Sequence, residues 1–109
     1  MNFASLDVCT ELYELSGWNI GESAWGTWNE QSKVIDEEEG WDERFNWACP
    51  AYDLGYLLRK TNIGVRPHDG QGWKAFFRDK NFIATTPEDA VCRLAIQLFE
   101  QGILQKEAA

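Results

Sequence analysis

The chain has 109 residues, of which 44% are hydrophobic and 26% charged, and its formal net charge is −8. This composition is typical of a globular protein rather than of a disordered chain, and the length predicts one folded domain. The acidity argues against general electrostatic attraction to phosphate backbones or anionic membranes. Most of it belongs to the first half of the chain, because residues 1–50 carry a net charge of −9 and residues 51–109 carry +1.

The first predicted element is a helix over residues 5–16. Ser5 is a suitable N-cap for it, and Gly17 supplies a stop. Its apolar residues recur at i, i+4 and i+7, which places one face against a core. That face consists of Val8, Leu12 and Leu15. Residues 1–18 are therefore expected to form an N-terminal helical segment.

Residues 19–48 form a Trp-rich acidic segment in which recurring glycines interrupt any long helix. Within it, SAWGTW predicts a short strand, SKVIDEEEGW predicts one or two helical turns, and the remainder is expected to be irregular. A charge run of this kind is typical of a solvated loop or, alternatively, of a surface that docks on a basic partner. In the second case, the candidate protein-interaction residues are Trp25, Trp28, Asp36, Glu37, Glu38, Glu39, Trp41, Asp42 and Glu43.

The remainder, residues 49–104, predicts an αβββα-like unit, followed by a frayed tail at 105–109. Its sheet and helix signals fall at 51–61 (helix), 63–68, 72–79 and 81–86 (strands) and 85–104 (helix). The last helix has Thr85 or Thr86 as its cap, Pro87 in its first position and Gly102 at its end. The expected fold is therefore α+β, with a three-stranded antiparallel sheet flanked by helices over residues 50–102, an N-terminal helix and a Trp-rich irregular segment.

The sequence offers no recognisable catalytic or metal-binding motif. The three cysteines, Cys9, Cys49 and Cys92, show no CxxC spacing, and a zinc site would need all of them together with His68. We expect reduced, mostly buried thiols, no catalytic residues, no metal, no cofactor and no enzymatic activity. With no apolar run long enough to span a membrane and no secretory signal, the expected location is the cytoplasm.

A second set of candidate residues is cationic and aromatic. Strand alternation places Lys74, Phe76 and Arg78 on one face and Trp73 and Phe77 on the other. If Phe76 is exposed among cations, the sheet is a stacking platform for single-stranded nucleic acid; otherwise this is an ordinary solvated face. The candidate nucleic-acid-binding residues are Arg59, Lys60, Arg66, Lys74, Phe76, Arg78 and Lys80.

Three stretches carry a resemblance to a known set of proteins: CTELYELSGW, AYDLGYLLRKT and TTPEDAVCRLAIQLFEQGIL. They are similar to small uncharacterised proteins of tailed bacteriophages and prophages, over residues 49–104 and 9–18. This resemblance implies life in the cytoplasm of an infected bacterium and carries no activity over to individual residues.

The order of elements in the second half also resembles the double-stranded RNA-binding domain. That family binds RNA through basic residues at the start of its last helix. Here those positions read Thr86-Pro87-Glu88-Asp89-Ala90, so the same mode of duplex binding is not expected.

The leading hypothesis is a protein-binding inhibitor of a host defence factor, of an anti-CRISPR kind. It would act by occlusion through the acidic, Trp-rich surface, and its partner would be a host protein or protein–nucleic-acid complex with a basic surface. The alternatives are a nucleic-acid-binding regulator that uses the cationic, aromatic sheet, and an assembly accessory that oligomerises.

Overall fold

Helices and antiparallel strands make up most of the described chain. The computed structural model describes residues 2–19, 23–28, 30–36, 45–70 and 72–106. In chain order, the elements are α1 (Leu6–Ser16), β1 (Ser23–Trp28), β2 (Gln31–Asp36), β3 (Phe45–Pro50), α2 (Leu54–Lys60), β4 (Gly64–Pro67), β5 (Trp73–Phe77), β6 (Lys80–Ala84) and α3 (Pro87–Glu100). The predicted α+β class is confirmed, with its N-terminal helix and a three-stranded antiparallel sheet between two helices.

The Trp-rich segment is more regular than predicted, because it contributes to a second antiparallel sheet with strand order β2-β1-β3. Strand β1 is the predicted SAWGTW strand. The prediction of helical turns from residue 32 onward is wrong for its described part, which lies in β2. The β-branched pair Val34 and Ile35 favours extended backbone, and Ile35 is buried directly opposite Ala24 of β1.

The sheet β4-β5-β6 follows the predicted order between α2 and α3. Because side chains alternate along each strand, cross-strand neighbours share one face of the sheet. The inner face is directed toward α3 and packs against the main core. Its residues include Val65, Trp73, Ala75, Phe77, Phe82 and Ala84.

Helix α3 has the end signals that the sequence predicts. The Thr86 side chain caps its N-terminus, and Pro87 occupies the first helical position. At the other end Gly102 has a φ of 76°, and the Ile103 N–H donates to the Leu98 carbonyl over 2.9 Å. This is the six-to-one hydrogen bond of a Schellman motif, for which glycine is the favoured residue.

Helix α2 begins at Leu54, later than the sequence predicts. The preceding residues remain extended, since the Ala51 N–H donates to the Ser23 carbonyl over 3.0 Å. The side chain of Asp53 then caps the helix. Tertiary pairing with β1 therefore delays a helix that local propensity alone would start earlier.

The main core lies between the three helices and the inner face of β4-β5-β6. Tyr52 is the largest of its fully buried side chains. The Tyr52 hydroxyl donates to the Trp18 carbonyl. Cys49 of β3 joins the same cluster, so both sheets contribute to this core. Other central residues are Val8, Leu12, Leu57, Val91, Leu94 and Leu98.

None of the helices in the described residues is long and apolar enough to cross a membrane.

Candidate functional site

Helix α1 and the sheet β2-β1-β3 are held together by specific contacts. The Trp25 indole N–H donates to the Ala4 carbonyl over 2.9 Å, just before α1 begins. The Thr10 Oγ1 lies 3.5 Å from the Cys49 Sγ. These contacts fix β3 beside α1 and so determine which side chains meet at that border.

An aromatic side chain is exposed at this border, next to a β-bulge in β3. Gly26 of β1 pairs with Trp47, and the register shift beside it leaves Ala48 unpaired. Trp47 is 41% exposed, and its ring stands edge-on to that of Tyr13 in α1, with 5.6 Å between centroids and 82° between planes.

An exposed side of α1, the helix that carries Tyr13, is acidic. Asp7, Glu11 and Glu14 are exposed at i, i+4 and i+7, and the helix contains no basic residue. Like charges at these spacings destabilise a helix by about 0.2–0.5 kcal/mol per pair. We call the group of Tyr13, Trp47, Asp7, Glu11 and Glu14 the Trp47 surface.

The predicted acidic and Trp residues have different environments. Trp25 is half-buried in the contact just described. Trp28 is half-buried against the small cluster around Phe45, with the Lys33 Nζ 5.6 Å from its ring centroid. Asp36 is exposed and accepts a hydrogen bond from the Ser23 Oγ over 2.6 Å. The others lie outside the described residues: Glu37, Glu38, Glu39, Trp41, Asp42 and Glu43.

None of the five residues of the Trp47 surface is among the interaction residues that the sequence predicts. Simple alternation from the buried Phe45 would place Trp47 on the same buried face, two residues further on. Both residues pair in regular register with Trp28 and Gly26 of β1, and the bulge comes after them. Their exposure differs because of what packs against them: Phe45 lies in the small apolar cluster, whereas Trp47 contacts Tyr13 of α1. The acids of α1 share an exposed helix face by their spacing alone, but only tertiary packing places Trp47 against this helix.

A second candidate surface is the face of β4-β5-β6 that points away from α3. Two cross-strand rows form it: Gly64–Phe76–Asn81 and Arg66–Lys74–Ile83. Phe76 is 39% exposed and Ile83 is 44% exposed. We call these six residues the outer sheet face.

The Phe76 ring lies over Gly64 on the outer sheet face. A Cβ atom at position 64 would come within 2.4 Å of the ring, so only glycine at this position leaves room for the Phe76 ring. The Arg66 guanidinium carbon is 5.6 Å from the ring centroid. Arg66 also sits directly opposite Lys74, and like charges in this arrangement are destabilising. The outer sheet face includes no acidic residue to offset them.

The structure divides the predicted cationic set. Only Arg66, Lys74 and Phe76 share the outer sheet face. The remaining four occupy other positions. Arg78 lies in the β5–β6 turn with its guanidinium carbon 5.0 Å from the Phe77 ring centroid, and Lys80 pairs with Phe77 across the hairpin.

The other two predicted cations, Arg59 and Lys60, lie in the last turn of α2. The Lys60 Nζ is 5.7 Å from the centroid of the Trp18 ring. Both therefore belong to a helix rather than to the outer sheet face.

All three cysteines are buried and unpaired, and the prediction that they are buried is confirmed. Burial raises the pKa of Cys9 to about 12 and also raises the pKa values of Cys49 and Cys92. Because the thiolate is the reactive form, these positions are poor nucleophiles at neutral pH. Across the described residues, no group of three or more His, Cys, Asp or Glu side chains could hold a metal ion.

Thiol labelling should therefore be slow in the folded protein. With a pKa near 12 rather than 9, the thiolate fraction of Cys9 at pH 8 falls about a thousandfold. A chromogenic disulfide reagent at pH 8 should react at least about a hundredfold more slowly with native protein than with urea-unfolded protein, and the native rate should rise as pH increases toward 12. One cysteine that reacts at the unfolded rate would contradict this arrangement.

Comparisons of the chain with protein-family models, with curated proteins and with solved structures found no match.

Proposed function

We propose that this protein is a protein-binding module that inhibits a host factor by occlusion, with the Trp47 surface as its docking site. The observation that carries the proposal is the exposed Trp47 ring packed edge-on against Tyr13 of α1, the helix that also presents three exposed acids. Trp and Tyr are enriched among the residues that dominate binding energy at interfaces. The acidic neighbours suit a partner with a basic surface.

In this mechanism, charge and aromatic contact have separate roles. The net charge of −9 over residues 1–50 attracts a basic partner and raises the association rate. Trp47 then supplies apolar contact area in the centre, where its ring is already restrained by Tyr13 and loses little freedom on binding. The carboxylates of Asp7, Glu11 and Glu14 form a charged rim that can mimic the negative charge of a nucleic acid.

The class of target follows from the resemblance to phage proteins. A basic groove that normally binds nucleic acid, in a host defence protein or protein–nucleic-acid complex, is the partner that such a surface fits. In this proposal the protein is an inhibitor of an anti-CRISPR kind in the cytoplasm of an infected bacterium. It blocks the groove and catalyses no reaction.

A pull-down with tagged variants tests the proposal. Wild-type protein should retain a stoichiometric host protein from nuclease-treated bacterial lysate. Trp47→Ala should weaken the measured affinity for that protein by about thirtyfold or more, the effect of a hot-spot residue worth at least about 2 kcal/mol. The double reversal Glu11→Lys and Glu14→Lys should lower the association rate and reduce its salt dependence.

Matched controls come from exposed residues elsewhere. Phe76→Ala removes an exposed aromatic side chain from the other surface, and Glu100→Lys reverses an exposed acid on α3. Both should retain the partner. Reversal of Glu37, Glu38 and Glu39 extends the test to the acidic run outside the described residues. The proposal is wrong if the partner binds Trp47→Ala and the α1 double reversal as tightly as wild type.

A further inference from the structure

The outer sheet face has features that the inhibitory role does not use. It combines an exposed aromatic ring, an exposed Ile83 and two cations in direct cross-strand contact positions. Although the net charge of the chain is −8, strands β4, β5 and β6 contain no acidic residue. We propose that this face binds a short single strand of nucleic acid, independently of the Trp47 surface.

Charge selects the class of ligand. Arg66 and Lys74 occupy opposite positions on β4 and β5, where their repulsion is unfavourable for the folded chain alone. An anion bound between them removes that repulsion and gains two charge-assisted contacts. A phosphate of a nucleic-acid backbone supplies such an anion.

The aromatic ring selects a nucleic acid over an acidic peptide. The Arg66 guanidinium lies over the Phe76 ring. An unpaired base can stack on this ring when the guanidinium turns toward the adjoining phosphate, which Lys74 can also reach. Ile83 lies in the Arg66–Lys74 row and extends the apolar area for a neighbouring base. In a duplex the bases already stack on one another, so the ligand is a single strand.

Gly64 positions the stacking ring. Its missing side chain lets Phe76 lie against the backbone of β4. Gly64→Ala would displace the ring while leaving Arg66 and Lys74 in place. The displaced ring is the exposed end of a flexible side chain, so this variant should fold.

The test uses the full-length protein and a fluorescein-labelled oligothymidylate of about eight nucleotides, with anisotropy as the readout. With two phosphates neutralised, the affinity should fall about sevenfold between 50 and 200 mM salt, from a log–log slope of about −1.4. Phe76→Ala should weaken binding at least about fivefold with an unchanged salt slope. Gly64→Ala should act in the same direction.

Each cation on the face has a matched control in the same hairpin unit. Arg66→Gln and Lys74→Gln should each reduce the salt slope by about 0.7. Arg78→Gln and Lys80→Gln remove the same charges from the turn and from the opposite side of the hairpin, and should leave the slope unchanged. Trp47→Ala should also leave binding unchanged, which separates this proposal from the inhibitory one. Thermal melting of every variant confirms that it is folded.

Three results would overturn the proposal. The first is no anisotropy change with the oligothymidylate at low salt. The second is equal binding of wild type and Phe76→Ala, which would leave only charge attraction. The third is tighter binding of a duplex or of a polyglutamate peptide than of the single strand, which would assign the face to another class of partner.

Discussion

Gly26→Ala should destabilise the protein by roughly 2–3 kcal/mol, although alanine is normally the better residue in a strand. An added Cβ would lie 2.3 Å from the Asn46 carbonyl oxygen and 2.5 Å from the Phe45 ring. The first of these atoms is backbone in the paired strand β3 and cannot move aside alone. Either β1 and β3 separate or Phe45 leaves the small apolar cluster. Urea unfolding, with the free energy extrapolated to water, measures the loss.

The matched control is Gly55→Ala in α2. Gly55 is exposed, and its added Cβ would meet only the side-chain ends of Arg59 and Asp53 at 3.3 Å. Alanine should therefore stabilise α2 by about 0.5–1 kcal/mol. The opposite signs separate close packing at Gly26 from a general effect of glycine replacement. If Gly26→Ala were as stable as wild type, the close approach of β1 and β3 would be refuted.

Leu12→Ala should lower the free energy of unfolding by about 3 kcal/mol and should destabilise both sheets together. Leu12 is fully buried on α1, the helix that packs against both α3 and β3. Removing its side chain leaves a cavity between these elements. Five of the six Trp residues lie at 18–47, so Trp fluorescence reports mainly on the first half, while far-UV circular dichroism also follows α2 and α3. Both signals should shift to the same lower urea midpoint.

Leu58→Ala is the matched control, because Leu58 lies in α2 with 36% of its surface exposed. Leu58→Ala should lower the free energy of unfolding by less than about 1 kcal/mol. Coincident transitions in wild type and in Leu12→Ala would support the prediction of a single domain. Two separate transitions, with only the fluorescence signal displaced, would contradict it.

Local signals predicted α3 and the sheet β4-β5-β6 well. The end signals of α3 are local, because each acts on backbone within a few residues and does not depend on distant parts of the chain. These signals are Thr86, Pro87 and Gly102. Strands β4, β5 and β6 are likewise predicted by the alternation of apolar and polar residues and by the short turns between them. The same signals explain why α1 ends before Gly17.

Non-local contacts explain the failures. The sequence assigned Ser5 as the side-chain cap of α1, but its side chain makes no cap hydrogen bond. Instead its N–H donates to the Asp89 carboxylate of α3 over 2.7 Å. The predicted helical turns do not form in β2, because its partner, β1, supplies the hydrogen bonds that hold Val34 and Ile35 extended.

The sequence by itself determined the α+β class, the helix ends that glycine and proline mark, and the acidic first half. These properties follow from residue type and short-range spacing. Tertiary structure alone decided that Trp47 emerges beside Tyr13, that Arg66 joins Lys74 and Phe76 on one face, and that Arg78 and Lys80 lie elsewhere. The reason is that register and bulges arise where strands distant in sequence meet, and a shift of one residue exchanges the buried and exposed faces.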